Sequence, residues 1–293
     1  MTQTPVYYSD AYANSRAAFD TTRKARWIAD SLRTFPITGA RLVAPQPVGC
    51  ADLRRAHDDD YIDAVRTGEP AQLAESSGLG WDARTWAAVT ASTGGVLDAA
   101  KHALRTNQNA GTLSSGLHHA DRRGGAGFCT FNGLAVAAHW LAPAQVLIID
   151  LDAHPGDGTA DIIAPWTWVT QLDIAVASWT YRVKRGSTLD IVREAATYLD
   201  VLDARLSAAK GYDIVLYNAG VDPHEGCAIG GLAGITADVL AERDRRVFTW
   251  ARAARIPVAF TLAGGYVGLN LSQRALVDLH RQTIRAAVQR GDN

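Results

Sequence analysis

The chain has 293 residues, with 29 basic and 30 acidic side chains, 47% apolar residues and 20% charged residues. This composition is typical of a globular protein long enough to bury a large core. The formal net charge of -1 gives no sign of the basic surface that nucleic-acid binders and polybasic membrane anchors need. We therefore expect neither nucleic acid nor a membrane as a partner.

Cysteine usage and the N-terminus suggest a cellular location. Three scattered cysteines, Cys50, Cys129 and Cys227, are too few for a disulfide framework or a thiolate zinc finger. The N-terminal segment MTQTPVYYSDAYANSR lacks the basic stretch and apolar run of a secretory signal. The longest apolar segment, residues 133–149, is interrupted by polar residues and a proline and falls short of a membrane span. We therefore expect a cytoplasmic protein.

The chain shows no internal repeat and no linker-like segment, so one domain over residues 1–293 is the simplest interpretation. Short apolar runs alternate with helical segments, which predicts an α/β fold with a central, mostly parallel sheet and helices on both faces. The predicted helices lie near residues 86–104, 131–142, 190–209, 235–255 and 271–289. The predicted strands are 111–115, 146–150, 168–172, 213–217 and 256–262.

Polar side chains follow four of the predicted strands. The pair His118–His119 comes after the first strand, Asp150–His154 ends the second, Asp222 comes just after the fourth and Tyr266 just after the last. Ligands bind at the carboxyl ends of the strands in open parallel sheets, because the loops converge there over one crevice. The four segments therefore predict one site.

The segment DLDAHPGDGT at 150–159 offers metal ligands. Asp152 and His154 leave the strand two residues apart and can supply one oxygen and one nitrogen ligand to a metal such as zinc. Asp222 can complete the set, and three protein ligands leave the fourth position of a catalytic zinc open. The alternative is a set of ordinary turns, since Asp and Gly are common turn residues. We expect the neighbouring His224 to order its loop.

The segment LHHADRRGGAGFCTFN at 117–132 contains adjacent histidines. His118 and His119 would be costly to bury unless each donates a proton to an acceptor. Asp150 and Asp157 are the spare carboxylates, and a carboxylate behind an imidazole suits a general acid or base. Alternatively, one histidine only caps the segment that follows.

Two further segments could complete a site. Gly127 allows close approach of the backbone to a substrate, and Phe128 offers a flat apolar wall. Two glycines before Tyr266 allow a turn that projects its phenol over the sheet end, where it could donate to an oxyanion. A tyrosine packed on a helix surface is the alternative.

Taken together, these motifs resemble the histone deacetylase and acetylpolyamine amidohydrolase family of zinc-dependent deacetylases, which have an arginase-like α/β fold. The resemblance covers nearly the whole chain. The matching segments stand in the order of the family: AHDDDYIDAVRTG, GLHHA, GFCTFN, DLDAHPGDGT, AGVDPHEG, GGL and LAGGY. It implies hydrolysis of an acyl amide, with acetyl as the expected acyl group, on lysine, a polyamine or a related small amine.

The resemblance also implies roles for individual residues. One zinc ion per chain would be held by Asp152, His154 and Asp222. His118 would pair with Asp150 and His119 with Asp157, with His119 as the base that takes the proton of water. Tyr266 would be the transition-state tyrosine, and Gly127 and Phe128 would line the acyl-lysine tunnel.

The chain departs from the family pattern at three places. Pro155 stands where many members have a second histidine. Gln171 replaces a serine that helps to hold a monovalent cation, which leaves open whether potassium binds near Asp150, Asp152 and His154.

The second wall of the tunnel is the third departure, since the family's usual loop is replaced after residue 172. Trp179 and Tyr181 are the candidates for that wall.

Two other functions stay open. A ureohydrolase-like enzyme with two manganese ions would need more bridging carboxylates than AGVDPHEG provides. A non-catalytic protein that only binds an acyl ligand would have no need of the histidines and the tyrosine. A second subunit could complete loops at the rim of the site.

Overall fold

The computed structural model describes residues 3–15, 19–177 and 182–289. Its strands are β1 (Thr4–Tyr7), β2 (Ala40–Val43), β3 (Ala110–Thr112), β4 (Val146–Asp150), β5 (Val169–Ala175), β6 (Ser187–Ile191), β7 (Ile214–Asn218) and β8 (Val258–Thr261). Its α-helices are α1 (Asp20–Thr34), α2 (Cys50–Leu53), α3 (Asp59–Thr67), α4 (Ala71–Ala74), α5 (Thr85–Thr106), α6 (Gly133–Trp140), α7 (Asp157–Ile163), α8 (Ala195–Ala208), α9 (Ala237–Ala254) and α10 (Gln273–Val288).

The eight strands form one sheet in the order β2-β1-β3-β8-β7-β4-β5-β6. Every neighbouring pair is parallel. Side chains of a strand alternate between the two faces, and the central strand β4 is buried on both. Leu147 and Ile149 pack with side chains of α1, α8, α9 and α10, while Val146 and Ile148 pack with side chains of α3, α5, α6 and α7. The predicted α/β sheet with helices on both faces is confirmed.

The register of the sheet aligns polar residues at the carboxyl ends of the central strands. Asp150 at the end of β4 lies opposite Asn218 of β7 on one side and Asp173 of β5 on the other. Asn218 in turn lies opposite Thr261 of β8. Because the strands are parallel, the loops that follow β4, β7 and β8 leave the sheet side by side.

The strands that were predicted as apolar runs are present, with shifted ends. The predicted helix over 190–209 begins too early, because Ser187–Ile191 is the edge strand β6 and α8 begins only at Ala195. Thr188, Leu189 and Asp190 of β6 are partly exposed, so β6 lacks the continuous apolar run by which strands such as β4 and β7 were predicted. Within the described ranges, no helix has both the length and the apolar character needed to cross a membrane.

Candidate active site

Three side chains with metal-binding groups meet at the carboxyl ends of β4 and β7. Asp152 and His154 follow β4, and Asp222 follows β7. One ligand atom from each lies within 4.8 Å of the other two. His154 Nδ1 lies 3.2 Å from Asp152 Oδ1 and 3.3 Å from Asp222 Oδ2. In the part of the chain that the structure describes, no other group of His, Cys, Asp or Glu side chains has the spacing of a metal site.

Backbone amides orient both carboxylates. Gly264 N donates to Asp152 Oδ2 at 2.9 Å, and Ala153 N donates to Asp222 Oδ1 at 2.9 Å. Residue 264 has to be glycine, because a Cβ there would lie 2.1 Å from Asp222 Oδ2. Among the described residues, buried Asp222 Oδ2 has no hydrogen bond of normal geometry, since His154 Nδ1, 3.3 Å away, also faces Asp152 Oδ1. An unsatisfied buried carboxylate oxygen is costly unless a cation lies against it.

The electrostatics of the cluster favour positive charge. Burial opposes the charged form of His154, but the adjacent carboxylates of Asp152 and Asp222 outweigh it and raise the pKa of this imidazole to about 10. Burial and the charge of Asp152 raise the pKa of Asp222 to about 6. Despite burial, His118 and His154 hold the pKa of Asp152 well below its usual value. The raised pKa of Asp222 reflects repulsion between two buried carboxylates, and a divalent cation bound between them would relieve that repulsion.

His118 is paired with a buried carboxylate. His118 Nδ1 lies 2.8 Å from Asp150 Oδ2, and both side chains are buried. Asp150 Oδ1 accepts hydrogen bonds from Asp152 N and Asn218 Nδ2. Burial opposes protonation of His118, but Asp150 and then Asp152 outweigh it and raise the pKa of His118 to about 10. The two carboxylates thus stabilise the protonated form of the His118 ring.

His119 has the opposite character. His119 Nδ1 lies 2.7 Å from Asp157 Oδ1, at the start of α7. Burial and the neighbouring His118, whose ring centroid is 4.1 Å away, lower the pKa of His119, and Asp157 offsets them only in part. The His119 ring is therefore a neutral imidazole whose orientation is fixed by a carboxylate, as a general base requires.

The backbone around the histidine pair is strained. Leu117 and Phe128 have φ angles of 57° and 66°, in the left-handed region that bulky side chains rarely adopt. Such strain costs about 1–3 kcal/mol per residue and is found mainly at functional sites. Gly127, with a φ angle of 51°, packs on the His119 ring, where a Cβ would lie 2.4 Å from Cδ2. The loop is thus shaped to bring its backbone against His119.

Phe128 and Tyr266 belong to a cluster of three rings. The third ring, Phe19, lies 4.6 Å from Phe128 and 5.8 Å from Tyr266 between centroids. Tyr266 is only 7% exposed. Burial, followed by the charges of Asp222 and Asp152, raises the pKa of its phenol above the usual range. The phenol therefore stays protonated and can donate a hydrogen bond.

The other sequence predictions have mixed outcomes. His224 orders its loop, since its Nδ1 accepts a hydrogen bond from Gly226 N at 3.0 Å. Gln171 is buried, and its Nε2 donates to the Gly156 carbonyl and to Asp173 Oδ2. Trp179 and Tyr181, the candidates for a second tunnel wall, lie outside the described residues.

Sequence reasoning missed a polar support beneath the histidines. Asn132, the N-cap of α6, donates through Nδ2 to the Ala120 carbonyl and to Thr159 Oγ1. His57 Nε2 accepts a hydrogen bond from Asn132 N, and His57 Nδ1 donates to the Asp121 carbonyl. The His57 and Asn132 side chains thus tie down both ends of the segment that follows the histidine pair. His57 lies in AHDDDYIDAVRTG and Asn132 in GFCTFN, two of the segments that resemble the family. That resemblance was the signal in the sequence that could have pointed to them.

Lys24 was also missed. Its side chain is fully buried in α1, close enough to Asp152 and Asp222 for their charges to act on it. Burial lowers the pKa of its amine to about 8, and the carboxylates offset this only in part. The signal in the sequence is a lysine that shares a helix face with Ile28 and Leu32, at i, i+4 and i+8.

Comparison with known proteins identifies the family of the chain. A family model described as "Histone deacetylase domain" matches residues 18–178. An uncharacterized protein of a Picosynechococcus species is 34% identical over 235 residues, which cover 76% of this chain and 77% of that protein. Histone deacetylase 2 of Arabidopsis thaliana is 28% identical over 81% of this chain and 66% of its own length.

One further relative and one solved structure are also similar to this chain. The acetoin utilization protein AcuC of Bacillus subtilis is 38% identical over 40% of this chain and 34% of its own length. The crystal structure of the HDA15 HD domain matches 98% of this chain and 90% of that domain, with a TM-score of 0.77 and 21% sequence identity, which shows the shared fold. Since the family model spans more than half of the residues, the chain belongs to the histone deacetylase family of hydrolases.

Proposed function

We propose that the protein is a zinc-dependent deacylase that hydrolyses a linear acyl amide. Family membership supports deacetylase chemistry. The observation that carries the proposal is the meeting of Asp152, His154 and Asp222 within 4.8 Å, beside two histidines that each have a carboxylate partner. The proposed ligands and the histidines lie on loops at the carboxyl ends of strands of one sheet. We therefore propose that residues 1–293 act as one catalytic domain.

The residues fit one zinc ion. Two carboxylates and one imidazole are common zinc ligands, and the unsatisfied Asp222 Oδ2 is an oxygen that a cation would pair. Asp152, His154 and Asp222 would hold the ion. When bound, zinc polarises a carbonyl oxygen and lowers the pKa of a water molecule toward about 7.

The two histidines divide the proton chemistry. The neutral His119, held by Asp157 at 2.7 Å, takes a proton from water and returns it to the leaving amine. His118, kept protonated by Asp150 and Asp152, contributes a positive charge next to the developing oxyanion. The opposite pKa shifts of adjacent rings support this division of roles.

Tyr266, Phe128 and Gly127 act on the substrate. The protonated phenol of Tyr266 donates a hydrogen bond to the oxyanion. Phe128 provides an apolar wall for the acyl-bearing chain, and the Gly127 carbonyl accepts a hydrogen bond from the amide nitrogen. The contacts among Phe19, Phe128 and Tyr266 hold the Phe128 ring near the phenol, which supports a role for both on the same substrate.

We propose acyl-lysine, an acylated polyamine or a related small amide as substrate, with acetyl as the acyl group. A potassium ion near Asp150, Asp152 and His154 is not part of the proposal, because Gln171 stands where many members of the family have a cation-binding serine and its Nε2 donates to the Gly156 carbonyl and Asp173 Oδ2. Cytoplasmic location and assembly with a second subunit remain predictions.

Metal analysis and a turnover screen test the proposal together. We expect one zinc per chain, activity that is lost on chelation and restored by zinc, and hydrolysis of acyl amides that differ in acyl length and amine. Two manganese ions per chain would favour the ureohydrolase alternative. A zinc-loaded chain that hydrolyses none of a broad panel of acylated lysines, polyamines and small amines would favour a ligand-binding protein.

A further inference from the structure

Two charged residues are buried in the middle of α9. The buried face of this helix includes Leu240, Val247 and Ala251, and the adjacent Arg243 and Asp244 lie on the same stripe. Arg243 is 0% exposed and Asp244 is 1% exposed. A buried guanidinium is destabilising unless a counter-charge and acceptors surround it, so the partners of Arg243 indicate what the pair does.

Arg243 reaches the backbone beside two proposed metal ligands. Its Nη1 donates to the Leu151 carbonyl at 3.2 Å and also to the Gly220 carbonyl. Leu151 immediately precedes Asp152, and Gly220 lies two residues before Asp222. One nitrogen atom thus cross-links the ends of β4 and β7 at the points where both ligand-bearing loops begin.

Asp244 fixes the orientation of the guanidinium. Its Oδ1 accepts a hydrogen bond from Arg243 Nε at 2.9 Å and another from Tyr217 Oη at 2.5 Å. Its Oδ2 accepts one from Thr283 Oγ1, on α10, at 2.6 Å. Side chains from β7, α9 and α10 therefore hold the Asp244 carboxylate, which restricts the orientation of the Arg243 guanidinium.

We propose that Arg243 and Asp244 are positioning residues that set the separation of Asp152 and Asp222, and with it the affinity of the site for zinc. This inference rests on the proposed function. The pair acts through the backbone and touches neither metal nor substrate. Residues that orient metal ligands in this indirect way typically change metal affinity or activity 10–100-fold when they are replaced.

The test compares two variants with a matched control. Arg243→Lys keeps a positive charge but loses the planar fork that spans Asp244 and two carbonyls. Asp244→Asn keeps the shape and removes the charge that aligns the fork. Arg281→Lys is the control, because Arg281 is also buried, on α10, and its Nη2 donates to the Phe35 carbonyl at 2.7 Å, a contact outside the site.

Zinc affinity, measured by competition with a chromogenic chelator, is the main readout, and the Tm of the metal-free protein is the second. We expect Arg243→Lys and Asp244→Asn to weaken zinc binding about 10–100-fold, while Arg281→Lys lowers Tm without changing zinc affinity.

Wild-type zinc affinity in a folded Arg243→Lys or Asp244→Asn variant would overturn the inference, and Asp244→Asn decides it if Arg243→Lys does not fold. A wild-type chain without measurable zinc affinity would instead overturn the proposed function itself, and this inference with it.

Discussion

Tyr266 is the residue at which chemistry and structure can be separated most cleanly. Replacing Tyr266 by Phe removes the hydroxyl and keeps the ring that contacts Phe19 and Phe128. We expect Tyr266→Phe to lower kcat about 100-fold or more, as the loss of one oxyanion donor does elsewhere. Bound zinc and Tm should stay at their wild-type values, because the variant keeps the buried ring and loses only a hydroxyl that is not a proposed zinc ligand.

The control for this variant is Tyr8→Phe. Tyr8 is also buried and donates its hydroxyl proton, to Asp10 Oδ1 at 2.6 Å, so it undergoes the same chemical change at a different place. Measured together, kcat and zinc content separate the two positions. Full turnover by Tyr266→Phe would remove the tyrosine from the mechanism.

At the level of single residues, the sequence predicts the site residues that directly follow apolar strands. Asp152, His154 and Asp222 stand out because polar side chains interrupt a buried pattern at strand ends. Lys24 and Arg243 do not stand out, since each is one charged residue in an amphipathic helix. The helical period places them on the buried face, but only the packing of α1 and α9 against the sheet shows that they have no route to water.

At the level of elements, β5 controls the loop between His154 and Asp157. Two of its side chains hold both polar groups of residue 156. Gly156 N donates to Asp173 Oδ2 at 2.7 Å, and Gln171 Nε2 donates to the Gly156 carbonyl at 3.0 Å. Because residue 156 immediately precedes α7, this contact also sets the position of the carboxylate that orients His119.

The charge state of Asp173 gives a prediction for this element. Burial and the charge of Asp150 raise the pKa of Asp173 well above 3.8, so the folded state holds a proton that the unfolded chain releases. The wild type therefore loses stability as the pH rises from about 4 toward the raised pKa. We expect Asp173→Asn, which mimics the neutral acid, to lack this loss and to gain stability relative to wild type between pH 5 and pH 7.

Asp173→Ala is the contrasting variant, because it leaves the Gly156 amide and the Gln171 amide without their shared acceptor. We expect it to cost about 1–3 kcal/mol. Urea unfolding at pH 5 and pH 7 measures both variants. An Asp173→Asn variant that is destabilised as much as Asp173→Ala would mean that the carboxylate is ionised in the fold.

Which elements could be predicted depended on how deeply they are buried. β4 and β7 are buried at every position and were predicted to within one residue. The strands β2 and β6 lie at the two edges of the sheet and are mostly half-exposed, so their sequences lack an apolar run. β6 is defined as a strand by its pairing with β5, and the local sequence pattern carries little information about such pairing.

At the level of the whole molecule, strand order assembles the site. β3, β8, β7 and β4 are neighbours in the sheet although they are far apart in the chain. The loops after them carry, in the same order, the histidine pair, Tyr266, Asp222 and the Asp152–His154 segment. Parallel pairing puts all four loops at the carboxyl ends of the central strands. The strand order therefore brings together site residues that no single motif contains.

The stability of the molecule should depend on pH through His57. This ring accepts a hydrogen bond from Asn132 N and donates one to the Asp121 carbonyl, so both partners require the neutral form. Burial lowers the pKa of His57 to about 4, and the bond to Asp121 opposes this only in part. The unfolded chain, with a histidine pKa near 6.5, therefore binds a proton first as the pH falls.

Because the unfolded state gains that proton, wild-type stability falls between about pH 6.5 and pH 4. Gln at position 57 keeps an acceptor for Asn132 N and has no proton to bind. We expect the loss of unfolding free energy from pH 7 to pH 4.5 to be about 2–3 kcal/mol smaller in His57→Gln than in wild type. Urea unfolding at both pH values measures it, and the other titrating groups cancel in the comparison. Equal losses in the two proteins would mean that His57 is charged in the folded state. That result would contradict the neutral form that its hydrogen bonds to Asn132 and Asp121 indicate.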